Sequence, residues 1–525
     1  MGKPRLPNQK KAYKELSKRL AGYMMRVRNI YDRLNEKAAM LVESVGYDGL
    51  TEFSFDDYPE IEREVKLLLS QFVGELQTLI YSGTSSEWKG SNTFQDAVAD
   101  KALKYYRAQV HGDRFKHYYR NNGDQLKAFL HRKENGLNLS SKLWNQSGNY
   151  KDALEVTIST AIEKGMSATA LSKKLSRYLN DWPSLQADYQ EKYGKATNIH
   201  DCEYRSLRLA RNEISMAYRS AEQARWQQFD FILGYKIKLS DSHPRYDICD
   251  DLTGDYPKDF KFRGWHPNCL CYTVPIVMSE DEYWSDNREN SPNKITAPPK
   301  NFGEWVDKSE NLERIGKANG KGTLPYWLRD NAKIKDCSVL LSKARTYGEA
   351  IQKQAETIAR KYNGTVTPIN YKSFSSMYRK LNSEKDMLVS DIKDSMRNTI
   401  VVEKENIGSV VKELQSLPTF NRYKSQTPEK FCGYIGNIIN LKMPNGIQAE
   451  IQVNTPKMIY AKETEANARK ILGDKVWEQI AKETGMQGGL GHKYYEEIRI
   501  LDEVKDRAKI AELIKLSKSY YAHFR

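Results

Sequence analysis

Apolar residues recur at three- and four-residue intervals through most of residues 8–135. In Tyr23-Met24-Met25, Val27, Ile30, Tyr31 and Leu34 they are set among Lys, Arg and Glu, which predicts helices with one buried stripe. The spacing resumes over 150–180, where Gly165-Met-Ser167 predicts a helix stop and a new N-cap. A long helix is expected at 203–230, with Leu207, Ala210, Ile214, Ala217, Ala221 and Ala224 on one stripe. After Gly234 the period changes, and Tyr235-Lys-Ile-Lys-Leu239 alternates as a strand does. Residues 280–335, rich in Asn, Pro, Lys and Gly, read as an irregular connector that docks through Trp305, Trp327 and Leu328. A new helix is expected at 345–363 and a closing one at 503–518. Between them, Gly433–Lys442 and Ile447–Thr455 alternate on either side of Pro444-Asn445-Gly446, a hairpin turn signal.

The expected fold is multidomain. It comprises a basic helical region at 1–145, a domain at 146–280 that includes a small Cys/His-containing α+β module, a connector at 281–344, and an α/β unit with a mixed sheet at 345–525. A chain of 525 residues exceeds what one core serves, and its 39% hydrophobic content excludes a disordered polymer. The net charge of +15 points to a polyanionic partner such as nucleic acid or nucleotides, with solubility alone as the alternative. The start, Met-Gly-Lys-Pro-Arg-Leu6, has neither the apolar run of a signal peptide nor the Ser or Thr of a myristoylation signal. No run of about 20 apolar residues occurs, so no membrane span is expected and synthesis in the cytoplasm is.

Three of the six cysteines cluster, which suits a metal or thiol cluster better than a disulfide framework. His243-Pro-Arg-Tyr-Asp-Ile-Cys249 precedes Trp265-His266-Pro-Asn-Cys269-Leu-Cys271. Cys249, His266, Cys269 and Cys271 make a candidate Cys₃His set for Zn²⁺, with His243 as an alternative ligand. The other reading is a small β-module in which these side chains simply pack, since a Cys-x-Cys pair suits one tetrahedral ion poorly. Arg208-Leu-Ala-Arg211-Asn212-Glu213, Asp247-x-Cys249, Gly254 and His266-Pro-Asn-Cys269-x-Cys271 together resemble the phage head morphogenesis family of Mu F-like minor head proteins, over about 150–275. The resemblance implies a structural role in the virion head, with portal and capsid proteins and DNA as partners, and no catalysis in this half.

The α/β unit carries the candidate chemistry. Lys372, Ser376 and Lys380 are four apart, so on a helix they share a face where two ammonium groups and a hydroxyl can line a polyphosphate. Asp394 stands just before the strand Asn398–Val402, where it can bind Mg²⁺, and Arg397 can reach a phosphate. A solvated basic face, a turn cap and a surface ion pair are the alternatives for these residues. On the next strand, small Gly436 beside Tyr434 leaves room for a base to stack on the ring. Glu450, Gln452 and Asn454 face one way, and Ile447, Ala449, Ile451 and Val453 the other. A polar row on a buried strand is costly unless it serves a site. Glu450 can share a metal with Asp394 or take a proton from an attacking hydroxyl.

This ordered set resembles the RelA/SpoT alarmone synthetase domain over about 365–500, in which a Lys-x₃-Ser-x₃-Lys helix, an Asp before a strand, a Gly-Tyr strand and a Glu-Ile-Gln strand recur. Tyr460-Ala-Lys-Glu463 and His492-Lys-Tyr494-Tyr495 also fall where the family carries Glu and His-x-x-Tyr-like groups. The resemblance implies transfer of pyrophosphate from ATP to a ribose 3′-hydroxyl. By it, Lys372, Ser376, Lys380 and Arg397 hold the ATP phosphates, and Asp394 and Glu450 are the catalytic and Mg²⁺-binding carboxylates. Tyr434, Gln452 and Asn454 meet the acceptor. The family's Tyr-Arg-Ser-Ile-His strand is Tyr434-Ile-Gly-Asn-Ile438 here, and its Gln-x-Arg-Thr is Gln452-Val-Asn454-Thr455. These lost basic residues leave the acceptor open among GDP or GTP, adenine nucleotides and the 3′ end of tRNA. No hydrolase His-Asp metal motif is visible, so an unopposed synthetase would act as a toxin. The expected location is therefore the virion and, after synthesis or delivery, the host cytoplasm. The rival expectation is a purely structural head protein whose last unit binds nucleic acid.

Overall fold

The computed structural model describes residues 2–525 except 46, 48, 163–165, 198–200, 286–289, 321–323, 384–385, 430, 500 and 502–505. The chain forms two compact units. Unit 1 is Met1–Asn301 with Gly322–Asn331, and unit 2 is Phe302–Lys321 with Ala332–Arg525. The expected boundary at 145/146 falls inside unit 1. The expected irregular connector at 281–344 is instead divided between the units and is rich in helix, including Lys300–Asp307, Ser309–Gly320 and the first turns of a helix that starts at Ala332. The Pro and Asn clusters there punctuate short helices whose aromatic residues, Phe302, Trp305 and Trp327, are buried.

Unit 1 is built on long helices. Helix α1 (Gln9–Glu43) starts at Asn8, whose side chain accepts from the Lys11 backbone N–H, and it buries Val27, Tyr31, Leu34, Ala38 and Val42. Met25, inside the same apolar run, points to solvent because it lies off that stripe. Helix α2 (Pro59–Tyr105) begins with proline at its first turn, and α3 (Cys202–Gln228) is capped by Asp201. The Ala210, Ile214, Ala217, Ala221 and Ala224 stripe of α3 is buried. Ser167 caps the helix Ala168–Asn180 as expected, whereas Gly165 lies outside the described residues. An antiparallel sheet follows, in the order β2-β1-β3, from β1 (Ile232–Lys238), β2 (Gly254–Pro257) and β3 (Tyr272–Val277). No helix among the described residues is long and apolar enough to cross a membrane.

In unit 2, α4 (Ala332–Lys361) leads to β4 (Thr365–Val366), β5 (Asn370–Tyr371), α5 (Phe374–Ser383) and β6 (Met396–Val401). Then come α6 (Ile407–Gln415), β7 (Phe420–Gln426), β8 (Gly436–Lys442) and β9 (Gln448–Asn454). The sheet runs β4-β6-β9-β8-β7, with β5 also paired to β6. It is mixed, as expected: β6 and β9 are parallel and the other pairs antiparallel. Gly446 takes a left-handed φ of +84° in the β8–β9 turn. Ala449, Ile451 and Val453 are fully buried on one side of β9. Asn398 donates to Gln352 of α4 at 3.1 Å, so α4 covers the face of β6 opposite Arg397. The Arg397 face is left for α5 and three later helices, α7 (Pro456–Lys462), α8 (Leu490–Arg499) and α9 (Arg507–Ala522).

Candidate functional site

A cleft of about 1040 Å³ opens on the Arg397 face of unit 2. Its walls bring together the predicted Lys372, Ser376, Lys380, Asp394, Arg397, Tyr434 and Gln452. Lys372 is not on the helix, as the four-residue spacing implied. Its N–H bonds the Ser395 carbonyl beside the β5–β6 pair, and Ser373 caps α5, accepting from the Ser376 N–H. Lys372 therefore enters the cleft from the sheet side, while Ser376, Arg379, Lys380 and Ser383 enter from one face of α5.

Lys372 Nζ lies 2.5 Å from Asp394 Oδ2, both largely withdrawn from solvent. Burial pushes the Asp394 carboxyl up, but the Lys372 ammonium beside it, aided by Lys380 and Arg397, holds it below its ordinary value. It is thus anionic near neutrality. Its Oδ1 is buried and accepts no hydrogen bond. An anionic oxygen in that state fits a cation, so the donor chemistry at Asp394 is right for Mg²⁺.

Glu450 is register partner to Arg397 on β6 and to Asn440 on β8, on the same side of the sheet as Gln452, whose Nε2 donates to its Oε1 at 2.7 Å. Arg397 and Gln452 form the cleft wall there, and Glu450 is not itself a lining residue.

Tyr434 precedes β8 rather than belonging to it, because Gly433 ends a tight 3₁₀ turn at φ +74°. A Cβ on Gly433 would sit 2.8 Å from Lys518 Cα of α9, so only glycine lets that backbone approach. Gly436 does not leave the expected open space beside the ring. A Cβ there would lie 2.9 Å from Tyr434 Cε1, so the ring itself fills the position. Tyr434 packs edge-on against Tyr521 with centroids 5.6 Å apart, and Lys462 Nζ lies 5.8 Å from its centroid. The hydrogen-bond network orients the Asn454 amide so that Oδ1 accepts from the Tyr434 hydroxyl and Nδ2 donates to the carbonyls of Ile435 and Val453. Asn454 thereby holds the ring, rather than lining the cleft where an acceptor-binding residue was expected.

The motif reading missed Arg379, Lys424, Gln426 and Glu496, which line the cleft together with Lys462, His492 and Tyr495 of the two later motifs. Arg379 carried a usable signal, being one helical turn from Ser376 and Ser383. Lys424 and Gln426 carried none, because β7 is a mostly exposed strand whose register with β8 appears only in the fold. Glu463, next to Lys462, is not on the wall.

In unit 1, the Sγ atoms of Cys249, Cys269 and Cys271 lie within 4.8 Å of one another. His266 Nε2 is 3.1 Å from Cys249 Sγ. His243 instead directs Nε2 to Asp250, at 3.0 Å.

A cationic cleft on a mixed sheet, with one buried unpartnered carboxylate oxygen, has the composition of a site for nucleotide polyphosphates. Sequence comparison supports a RelA/SpoT-like synthetase-type domain within this chain. The chain is 35% identical over 183 residues to the (p)ppApp synthetase toxin Tas1 of Pseudomonas aeruginosa (strain UCBPP-PA14), a match covering 34% of this chain. The chain spans 41% of that relative's length. Among solved structures, the complex of the Type VI effector Tas1 with its immunity protein matches at 34% identity, covering 36% of this chain and 97% of that one, with a TM-score of 0.33. The small alarmone synthetase 1 from Bacillus subtilis bound to its product pppGpp matches at 17% identity, covering 30% of this chain and 93% of that one, with a TM-score of 0.20. No protein-family model matches the chain.

Proposed function

We propose that unit 2 is an ATP-dependent pyrophosphotransferase of toxin type, with the 3′-hydroxyl of an adenine nucleotide as acceptor. The observation that carries this is the cleft itself, whose walls carry Lys372, Arg379, Lys380, Arg397, Lys424 and Lys462 against two carboxylates, Asp394 and Glu496. Such an excess of cations in a confined cleft fits a polyphosphate and its metal ion better than a nucleic-acid backbone, which needs an open basic surface. The adenine acceptor is favoured by the likeness to a (p)ppApp synthetase toxin and by the missing basic residues of the Tyr434–Ile438 segment.

In this reading Lys372, Lys380 and Arg397, with Arg379, hold the ATP phosphates, and Ser376 adds a neutral donor. Asp394, through its free Oδ1, and Glu450 are the residues that would hold Mg²⁺, which supplies charge neutralisation on the phosphate oxygens. Glu450 accepts the proton of the 3′-hydroxyl as its oxygen attacks the β-phosphorus. The bond from that phosphorus to the α,β-bridging oxygen breaks, and AMP leaves with the electron pair. Tyr434, held by Asn454, stacks the acceptor base, and Gln452 orients the ribose. Most of the rate comes from positioning and charge complementarity.

Unit 1 is proposed as the virion-anchoring part. Its Arg208–Glu213 and His266–Cys271 segments resemble minor head proteins. Portal and capsid proteins are its proposed partners, and mass spectrometry of purified particles lacking the protein would remove this placement.

The catalytic test incubates the full chain with γ-labelled ATP, magnesium and one acceptor at a time from ADP, ATP, GDP, GTP and tRNA. The expected result is a labelled acceptor and one AMP per transfer, abolished by Asp394→Asn. If no acceptor is labelled while the chain retains DNA or RNA under physiological salt, unit 2 is a binding module and the enzymatic reading fails.

A further inference from the structure

We infer that unit 1 contains a charge-balanced structural zinc site, formed by Cys249, Cys269, Cys271 and His266 and neutralised from beneath by Arg219. All six cysteines are free thiols, and these three are buried together. They come from separate parts of the chain. Cys249 is on the short helix Ile248–Asp251, whose capping residue Asp247 accepts from the Cys249 N–H, and Cys269 and Cys271 immediately precede β3. Asn268, at φ +65°, turns the chain between His266 and Cys269. That turn supplies the convergence that a Cys-x-Cys pair lacks by spacing alone.

Geometry favours a metal. The Cys249 and Cys269 sulfur atoms are 3.7 Å apart. Two thiolates on one tetrahedral zinc, each at about 2.3 Å, stand about 3.8 Å apart. His266 stands beside Cys249 but outside the group of three converged sulfur atoms; its Nδ1 is 2.7 Å from the Pro267 carbonyl and donates to it, so a ring movement would bring Nε2 to the metal as fourth ligand. Asp247 Oδ2, 3.3 Å from the same Nε2, is half-exposed and sits at the rim.

Charge favours a metal over simple packing. Arg219 of α3 is 4% exposed. Its guanidinium donates to the carbonyls of Arg263, Cys269 and Cys271 at 3.0, 2.8 and 2.9 Å. Among the described residues it makes no direct ion pair with a carboxylate, although its charge acts on the Glu222 carboxyl. Glu222, one turn further along α3, is instead directed at Tyr13 and Thr273. A buried cation over three neutral thiols is costly. A zinc dication with three thiolates carries one net negative charge, and Arg219 cancels it. Metal binding displaces the three thiol protons to solvent, so the buried cluster is neutral only when loaded.

The test uses the full chain, purified with reductant and without chelator. Elemental analysis should find one zinc per chain. Replacing zinc with cobalt should produce the thiolate-to-cobalt charge-transfer band and the visible bands of a tetrahedral site, a readout that needs no variant to fold. Cys249→Ser should lose the metal, Cys337→Ser should keep it, and Arg219→Met should weaken zinc binding at least tenfold while Arg219→Lys restores most of it. Three results overturn the proposal: a chain that binds neither metal after exposure to excess, metal content unchanged by Cys249→Ser, or thiol titration showing that two of the three cysteines are joined as a disulfide.

Discussion

Gly436→Ala probes the cleft through a contact one atom wide. The new Cβ would stand 2.9 Å from Tyr434 Cε1, 3.0 Å from its hydroxyl oxygen and 3.2 Å from the Asn454 amide. Ordinary carbon contacts begin near about 3.5 Å, so the ring must retreat by about 0.6 Å. It has little freedom to do so, because Tyr521 packs on its edge, Lys462 lies over it and Asn454 fixes its hydroxyl. The φ of Gly436 is not left-handed, so the backbone itself tolerates alanine. Overpacking of this kind costs about 1–3 kcal/mol of stability, and a misplacement approaching 1 Å in a positioning group costs up to about 10²-fold in rate. The expected outcome is a 10- to 100-fold loss in kcat/KM for the acceptor, by the order of magnitude just given, with KM for ATP unchanged because the phosphate-facing cations do not touch Gly436. Steady-state kinetics with each substrate varied in turn, alongside a thermal melt, separates the two effects. An acceptor kcat/KM within twofold of the wild type would refute the placement of Tyr434 as the acceptor platform.

Asp394→Asn should lower the transfer rate by about 10³-fold or more, since it removes the anionic metal ligand and leaves Lys372 without its partner. The lowered value of this carboxyl keeps its charge in place above the ordinary 3.8 and loses it only as pH falls through that lower value, so rate profiles between pH 5 and 9 should carry no limb from it. Glu222 is the opposite case: burial pushes its carboxyl from 4.5 up to about 7. The folded state then holds a proton that the unfolded chain releases, so unit 1 should lose about 3 kcal/mol as pH rises between those values and nothing more above them. Melts at pH 5 and 8 should show this loss in the wild type and not in Glu222→Gln. Ile451→Ala, at a fully buried position on β9, should destabilise unit 2 by about 2–5 kcal/mol and leave the unit 1 transition in place, as calorimetry can resolve.

What could be read from the residues alone follows from how local each signal is. The alternation of β9, the Pro444-Asn445-Gly446 turn and the α3 stripe depend only on near neighbours, and all three appear where expected. The mixed order of the sheet agreed because β6, before α6, pairs in parallel with β9, the second strand of the hairpin. The register of Lys372 was misjudged for a local reason that looked like helix periodicity. Ser373 caps α5 one residue later, and the Lys372 backbone is used by the sheet. Gly436 was read as room for a ligand, although only three-dimensional packing shows that Tyr434 occupies it. The contributions of Lys424 and Arg219 were invisible, since both act on partners distant in sequence.

The order in which the chain visits its two units constrains how they can be parted. The segment Gly322–Asn331 belongs to unit 1, although unit 2 residues flank it on both sides. Trp327 is 1% exposed and packs at 6.1 Å against Trp265, and Leu328 is fully buried. A protease that cuts once after Asn301 therefore leaves the C-terminal fragment tethered by a tryptophan plug, whose withdrawal must expose two large apolar side chains at about 1.5–3 kcal/mol each. Parting the units by proteolysis would call for cuts on both sides of Gly322–Asn331 as well as after Asn301, or for forces strong enough to pull that plug.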